Sequence, residues 1–313
     1  MSNLHSKIIG CGSYLPEKIL TNYDIEKIVD TSHDWIFERT GIVQRHIASE
    51  NESSVDMALH ASLKALSMAE LSANEIDMII VATATPERKF PSTAVLLQNR
   101  LKIQQGFAFD INAACTGFVY ALDVAHKYIQ NKAAKNILVV GTEKMSSLLD
   151  WTDRNTCVLF GDGAGAVILS ESNNPGILST TIGSDGSYKD LLTVDIDSEF
   201  IKMKGNDVFK IAVKTMGKLA VSTLQKNNIT INEIDWLIPH QANSRIINAI
   251  AKKISLSNEK VILTVDKHGN TSAASIPLAL DDAYHNGSLQ EGDLIMFEAF
   301  GAGFTWGSAL LKF

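Results

Sequence analysis

Apolar residues recur along the chain in two alternating rhythms. Short, nearly unbroken apolar runs predict strands over 7–12 (closed by Gly12), 78–82 within NEIDMIIVATATP, 107–111, and the NILVVGTE run. Apolar residues at helical spacing predict helices over 54–68, from KFPST at Lys89 to about Arg100, and over 116–129. Asn22 stands where it can cap a helix reaching about Val29, and CVLFGDGAGAVILS from Cys157 predicts a further pair of β segments. The 116–129 helix carries Phe118, Val119, Ala121, Leu122, Val124 and Ala125 with only a narrow polar stripe, so it is expected to be buried.

The pattern then repeats. Residues 170–187 are rich in Ser, Asn and Gly, and their start divides the chain into 1–170 and 171–313. A helix over 207–224 follows. NEID at 74–77 returns at 232–235, MIIVATATP is echoed by WLIPHQAN, and NILVVGTE by DLIMFEAF. A second strand–turn–helix, VILTVDKHGNTSAASIPLAL, echoes the one around Cys115: 38 residues separate Asp77 from Cys115, and 37 separate Asp235 from Ser272. Matches in the same order and spacing indicate a duplication. Strands alternating with helices predict an α/β fold of mostly parallel, helix-covered sheets. In such folds sites form beyond the carboxyl ends of strands, which singles out Cys115, His240 and Asn270.

Composition narrows the classes. The chain has 313 residues, 45% hydrophobic and 20% charged, enough for a large core. A net charge of −7 argues against general nucleic-acid binding. Cys11, Cys115 and Cys157 are too few and too widely spaced for a disulfide framework, which points to a reducing compartment. No C-x-x-C or H-E-x-x-H occurs, so no metal site is expected. The start lacks the pattern of a signal peptide and no run is long enough to span a membrane, which makes the cytoplasm the default.

Cys115 lies at a strand-to-helix junction, where free N–H groups and the helix dipole favour an anion by about 0.3–2 kcal/mol. A thiolate with a lowered pKa is expected there. The ordinary alternative is a small buried core cysteine. His240 ends WLIP, and Asn270 follows VILTVDKHG; His268 is taken as structural. GDGAGA at 161–166 leads into a strand rather than a helix, so it reads as close backbone packing and not as a dinucleotide loop.

AACTGF around Cys115, IPHQANSR around His240, HGNTSAASIP around Asn270 and the terminal EAFGAGFTWGSALLKF together resemble the thiolase superfamily, and most of all β-ketoacyl-acyl carrier protein synthase III. The resemblance implies a duplicated five-layer α-β-α-β-α fold with two mixed sheets. It implies acyl transfer from a short acyl-CoA to Cys115, then decarboxylative condensation with malonyl-acyl carrier protein, with His240 and Asn270 donating to the malonyl thioester carbonyl. The backbone N–H groups of Cys115 and Ala302 form the implied second oxyanion hole. Coenzyme A is implied to meet Thr31, Trp35, Arg39, Arg154, Gly205, Asn206, Phe209 and Asn243, with Trp35 and Arg154 stacked on adenine. Phe90 is implied to enter the acyl pocket of a partner subunit, hence a homodimer. An acidic carrier protein fits Gln241, Ala242, Asn243, Ser244 and Arg245, with Lys210, Lys214, Lys218 and Lys252 on neighbouring helical faces. No cofactor beyond the coenzyme A thioester is implied. Alternatives are a Cys–His–Asn enzyme of polyketide or quinolone type, a Cys–His acyl-CoA thioesterase, and a non-catalytic acyl-binding protein. A degradative thiolase needs a second cysteine near the C-terminus, and none follows Cys157.

Overall fold

The structure is a computed structural model that describes residues 4–195 and 200–313; the first three residues, part of the start that lacks a signal pattern, lie outside the described residues. Up to Ser172 the order is β1 (His5–Tyr14), β2 (Lys18–Thr21), α1 (Asn22–Ile25), α2 (His33–Thr40), β3 (Gln44–Ile47), α3 (Ser54–Met68), β4 (Met78–Ala82), α4 (Thr93–Arg100), β5 (Phe107–Ile111), α5 (Gly117–Gln130), β6 (Asn136–Lys144) and β7 (Asp162–Ser172). From Ile177 it is β8 (Ile177–Ser184), β9 (Leu192–Val194), β10 (Ile201–Met203), α6 (Gly205–Lys226), β11 (Trp236–Pro239), α7 (Ser244–Lys253), α8 (Val265–His268), α9 (Ser275–His285), β12 (Leu294–Gly301) and β13 (Thr305–Lys312).

Two mixed sheets carry the fold. The first runs β1-β7-β6-β4-β5, with β4 parallel to both β5 and β6 and the other pairs antiparallel. The second runs β8-β13-β12-β11 with the same directions, and Val261 bridges Leu237 where a fifth strand would lie. All five residues of β4 are buried, as expected for a strand covered on both faces. Helices α5 and α9 fill the space between the sheets; α3 and α4 cover the first sheet, and α6 and α7 cover the second. This gives five layers, α-β-α-β-α. One core cluster joins both sheets through the middle helices: Phe118 of α5 packs 6.4 Å from Phe297 of β12, and Ile80, Val139, Ile238 and Ile276 belong to the same cluster. Truncating a buried Phe of this kind to Ala costs about 3–5 kcal/mol.

Three local expectations change. Thr21, not Asn22, caps α1, accepting from Asp24 N, and the helix ends at Ile25. Asn22 is buried, donating to Ile42 O and accepting from the Arg45 guanidinium. The 157–170 stretch gives one strand, because residues before Asp162 turn and leave only a bridge from Phe160 to Asn270. After Val261 the chain enters α8 rather than extending a strand. The glycines of GDGAGA do bring elements close: a Cβ on Gly165 would lie 2.7 Å from Pro277 and Leu278 of α9.

Candidate active site

Cys115 occupies a short 3₁₀ turn, Ala114–Thr116, that opens α5. The mirrored turn, Ser272–Ala274, opens α9. Each starts with a residue of positive φ, Ala114 at 46° and Ser272 at 50°. The counterpart of Cys115 is therefore Ala273, not Ser272, and 38 residues separate Asp235 from Ala273, the same as from Asp77 to Cys115. The two turns pack together: a Cβ added to Gly117 would lie 3.5 Å from that of Ala273.

The last loop reaches the same turn. A Cβ on Gly301 would stand 3.0 Å from Ala113 O, Cys115 N and Thr116 N, so a side chain there would press on the backbone of the nucleophile turn. Thr305 ties the loop down by donating to Ala113 O at 3.1 Å. Gly301 lines the cavity with Cys115, and Ala302, the expected oxyanion donor, follows it in the same loop. Ala302 is also free of the positive φ that alanine disfavours.

Expectation and structure part on the thiol. Burial pushes Cys115 up to about 12; the Ser272 hydroxyl opposes the rise and the charge of Glu143 adds to it. Desolvation outweighs the helix mouth, because a thiolate loses more on leaving water than a partial charge returns. Cys115 is a thiol that must lose its proton as it attacks.

His240 follows β11 and is buried. Its N–H donates to Glu298 O at 2.7 Å, and its Nδ1 lies 2.6 Å from Ser275 Oγ, which also accepts from Gln241 N at 3.3 Å. Where Ser275 donates to Nδ1, the hydrogen of the neutral ring sits on Nε2. Burial lowers His240 to about 3, so the imidazole is neutral. Asn270 is clamped by its backbone, donating to Leu159 O and accepting from Gly161 N. Its Oδ1 accepts from Ser272 N at 2.9 Å, which turns the amide –NH₂ outward as a donor.

Cys115, His240 and Asn270 line one cavity of about 420 Å³. Its mouth carries Trp35, Arg39, Gly205, Asn206, Phe209 and Asn243 of the expected coenzyme A contacts. The guanidinium groups of Arg39 and Arg154 lie 4.4 and 5.1 Å from the Trp35 ring centroid, so the two residues expected on adenine stand together and touch each other. Arg154 and Thr31 themselves lie outside the cavity lining. Asn155, which no motif marked, lines it, as does an inner apolar wall of Ala212, Met216, Ile250 and Phe300.

The carrier-protein surface is reduced by one residue. Gln241 is 1% exposed, and its side-chain amide serves Pro239 O, Ile262 O, Thr264 N and Val265 N. It braces the loop and cannot meet a partner. Asn243 caps α7 through Arg245 N and donates to Arg39 O, and Ser244 packs on Gly41. Ala242 and Arg245 line the cavity, Arg245 stacking 5.7 Å from the Phe209 ring centroid. Lys210, Lys214, Lys218 and Lys252 are exposed. Phe90 is 84% exposed and stands apart from the cavity. His268 is buried and lowered to about 4 by burial.

Comparison with known proteins agrees with this geometry. A family model described as 3-oxoacyl-[acyl-carrier-protein (ACP)] synthase III matches residues 109–186, and its C-terminal companion matches residues 224–313. The β-ketoacyl-[acyl-carrier-protein] synthase III of Thioalkalivibrio sulfidiphilus is 56% identical over 320 residues, 99% of each chain, and that of Xanthomonas oryzae pv. oryzae is 55% identical over 321 residues, again 99% of each. The crystal structure of 3-oxoacyl-[acyl-carrier-protein] synthase III from Aquifex aeolicus superposes with a TM-score of 0.96 at 51% identity, covering 98% of this chain and 100% of that one.

Proposed function

The chain belongs to the β-ketoacyl-[acyl-carrier-protein] synthase III family, and on that premise we propose how its residues divide the condensation between them. The enzyme is an acyltransferase that starts fatty acid synthesis by joining an acyl-CoA to malonyl-acyl carrier protein. Cys115 Sγ attacks the acyl-CoA thioester, and the N–H groups of Cys115 and Ala302 receive the oxyanion. Coenzyme A leaves, and the acyl group stays on sulfur, which splits one hard step into two. The malonyl thioester carbonyl then faces His240 Nε2–H and Asn270 Nδ2–H. As carbon dioxide leaves, these donors hold the enolate oxygen, each contributing roughly 2.7–4 kcal/mol. The enolate carbon attacks the acyl thioester and Cys115 departs, releasing a β-ketoacyl-acyl carrier protein.

The observation that carries this reading is the preset donor pair: Ser275 holds His240 at Nδ1 and Ser272 holds Asn270 at Oδ1, which leaves an N–H on each directed to the cavity of Cys115. Mass spectrometry of the protein mixed with acyl-CoA primers of graded length tests it. A single acyl adduct on Cys115, absent in Cys115→Ser, is expected. Free acid released without any adduct would favour a thioesterase.

Partners follow as proposals. The mouth at Trp35, Arg39 and Arg154 suits the adenine and phosphates of coenzyme A. The exposed lysines of α6 and α7, with Arg245, suit an acidic carrier protein. A homodimer is supported by β5, the open edge of the first sheet, by Phe107 at 41% exposure and by Phe90 at 84%. The half-reactions balance with thioesters alone, so the proposal includes no cofactor. Among the described residues no helix is long and apolar enough to cross a membrane, and the proposed location is the cytoplasm.

A further inference from the structure

Arg45 lies on β3 with 0% exposure, and no step above uses it. Its Nη1 donates to Leu20 O at 3.1 Å and to Asn22 Oδ1 at 3.0 Å, and its Nη2 donates to Val158 O at 2.6 Å. Among the described residues its Nε has no partner. The guanidinium is thus held by two carbonyls and an amide, with no carboxylate in the set. A buried charge without a counter-charge costs stability, and a neutral side chain of similar volume often serves a core better. What the guanidinium holds gives it a different use.

Its shortest bond, to Val158 O, fastens the segment 158–161. Val158, Leu159 and Phe160 line the cavity, and the same segment carries the backbone clamp on Asn270. Leu159 O accepts from Asn270 N at 2.8 Å, Gly161 N donates to Asn270 O at 3.1 Å, and Phe160 bridges Asn270 between them. Arg45 also packs on the glycines that border this clamp. A Cβ on Gly161 would lie 2.9 Å from Arg45 Cβ, and one on Gly269 would lie 3.1 Å from it. One side chain therefore meets both strands of the clamp and ties it to the start of α1. Cys115 hangs from a different support, the loop that Thr305 fastens at Ala113 O.

We infer that Arg45 is a positioning residue for Asn270: by holding Val158 O it fixes the segment to which the Asn270 backbone is clamped, and so sets where the Asn270 amide meets the malonyl thioester carbonyl. This rests on the role proposed above for Asn270. Arg45 does not line the cavity and acts through Asn270 alone. The planar fork matters, because it reaches Val158 O with one nitrogen and Leu20 O and Asn22 with the other. A lysine ammonium has a single nitrogen and cannot span both sides in that geometry. Misplacement of a reacting group by 1 Å costs about a hundredfold in rate. The loss falls on decarboxylation, where Asn270 donates, and spares the acylation of Cys115.

The test measures the two half-reactions separately on the full chain: acylation of Cys115 by acetyl-CoA, and release of carbon dioxide from malonyl-acyl carrier protein. Arg45→Lys and Arg45→Gln are each made in the wild type and in Asn270→Ala. Gln removes the buried charge while keeping one donor, so it is expected to fold even where Lys does not. In the wild-type background, kcat for decarboxylation should fall about ten- to hundredfold. KM for malonyl-acyl carrier protein and the acylation rate at saturating acetyl-CoA should each change less than about threefold. In the Asn270→Ala background the Arg45 substitution should add less than about threefold, because a residue that acts through another has little left to lose once that one is gone. The same fold loss in both backgrounds, or in both half-reactions, overturns the inference and makes Arg45 a support of the fold at large. Wild-type decarboxylation in either folded Arg45 variant, beside a slow Asn270→Ala, overturns it as well and leaves the role of Asn270 standing. Wild-type decarboxylation by Asn270→Ala itself overturns the role of Asn270 and this inference with it.

Discussion

Ser275 Oγ stands 2.6 Å from His240 Nδ1, and both are buried. With Nδ1 accepting, as the proposed reaction requires, the ring hydrogen sits on Nε2. Ser275→Ala leaves a buried imidazole nitrogen without its partner, a loss of about 1–3 kcal/mol. Decarboxylation of malonyl-acyl carrier protein should fall tenfold or more, while acylation of Cys115 stays near the wild-type rate. Separate assays of the two half-reactions check this. A loss shared equally by both would show that Ser275 supports the whole site rather than the imidazole. Because His240 is lowered to about 3, the wild-type decarboxylation rate should show no limb from this residue between pH 5 and 8.

Gly301 packs its backbone against Cys115 N. A methyl at Gly301 meets three backbone atoms at 3.0 Å, and none of them can rotate away. Gly301→Ala should displace the loop and remove a donor from the acylation oxyanion, a loss of roughly 10²–10³ in rate. Ala302→Gly, one residue on, should change acylation by less than about threefold, in line with the small effects of substitutions away from a constraint. Single-turnover acylation of the two variants decides which residue shapes the hole.

The contact between Gly301 and Cys115 N shows where sequence reading stops. The motif EAFGAGF is legible, and so are Cys115 and His240, which follow strands at repeated positions, and Asn270, which its motif marks although helix α8 rather than a strand precedes it. Which glycine touches Cys115 N depends on backbone approach, and no residue spacing contains that. The repeat was legible too, but its register was not: matching Cys115 to Ser272 rather than Ala273 misses the positive φ shared by Ala114 and Ser272. Gln241 sits inside a recognisable motif, yet its burial is set by residues 262–265, which were expected to extend as a strand and instead turn into α8. The thiol pKa was misjudged for the same reason. Helix position can be read along the chain, whereas desolvation is produced by distant segments that pack over it.

The basic faces of α6 and α7 offer a test outside the cavity. Arg245 lines the cavity and stacks on Phe209, so its removal disturbs the coenzyme A path as well. Lys214 and Lys252 are exposed and do not line it. The double variant Lys214→Glu/Lys252→Glu should raise the apparent KM for malonyl-acyl carrier protein severalfold and steepen with lower salt, since exposed charges act over about 10 Å at 0.1 M ionic strength. Acylation by acetyl-CoA should be unchanged. An unaltered KM at low salt would remove these helices from the docking surface.

Glu298 makes the last prediction, and it concerns stability. It lies on β12 opposite Pro239 and Ser308, fully buried, with neither carboxyl oxygen hydrogen-bonded to the described residues. Burial raises its pKa well above the ordinary carboxyl value of 4.5. The folded state therefore keeps a proton that the unfolded chain releases once the pH passes about 4.5, so stability falls as pH rises from there toward the folded pKa, by up to about 1.4 kcal/mol per pH unit. Glu298→Met replaces the carboxyl with an apolar chain of similar length, and removes the pH-dependent cost of keeping that carboxyl protonated in the fold. The variant should unfold at a higher temperature than the wild type at pH 8, with the difference shrinking toward pH 5. Thermal unfolding of both proteins across that range checks the sign. A gap that stays constant with pH would mean that the Glu298 proton is not lost on unfolding, and a less stable variant at pH 8 would mean that the carboxyl is bound.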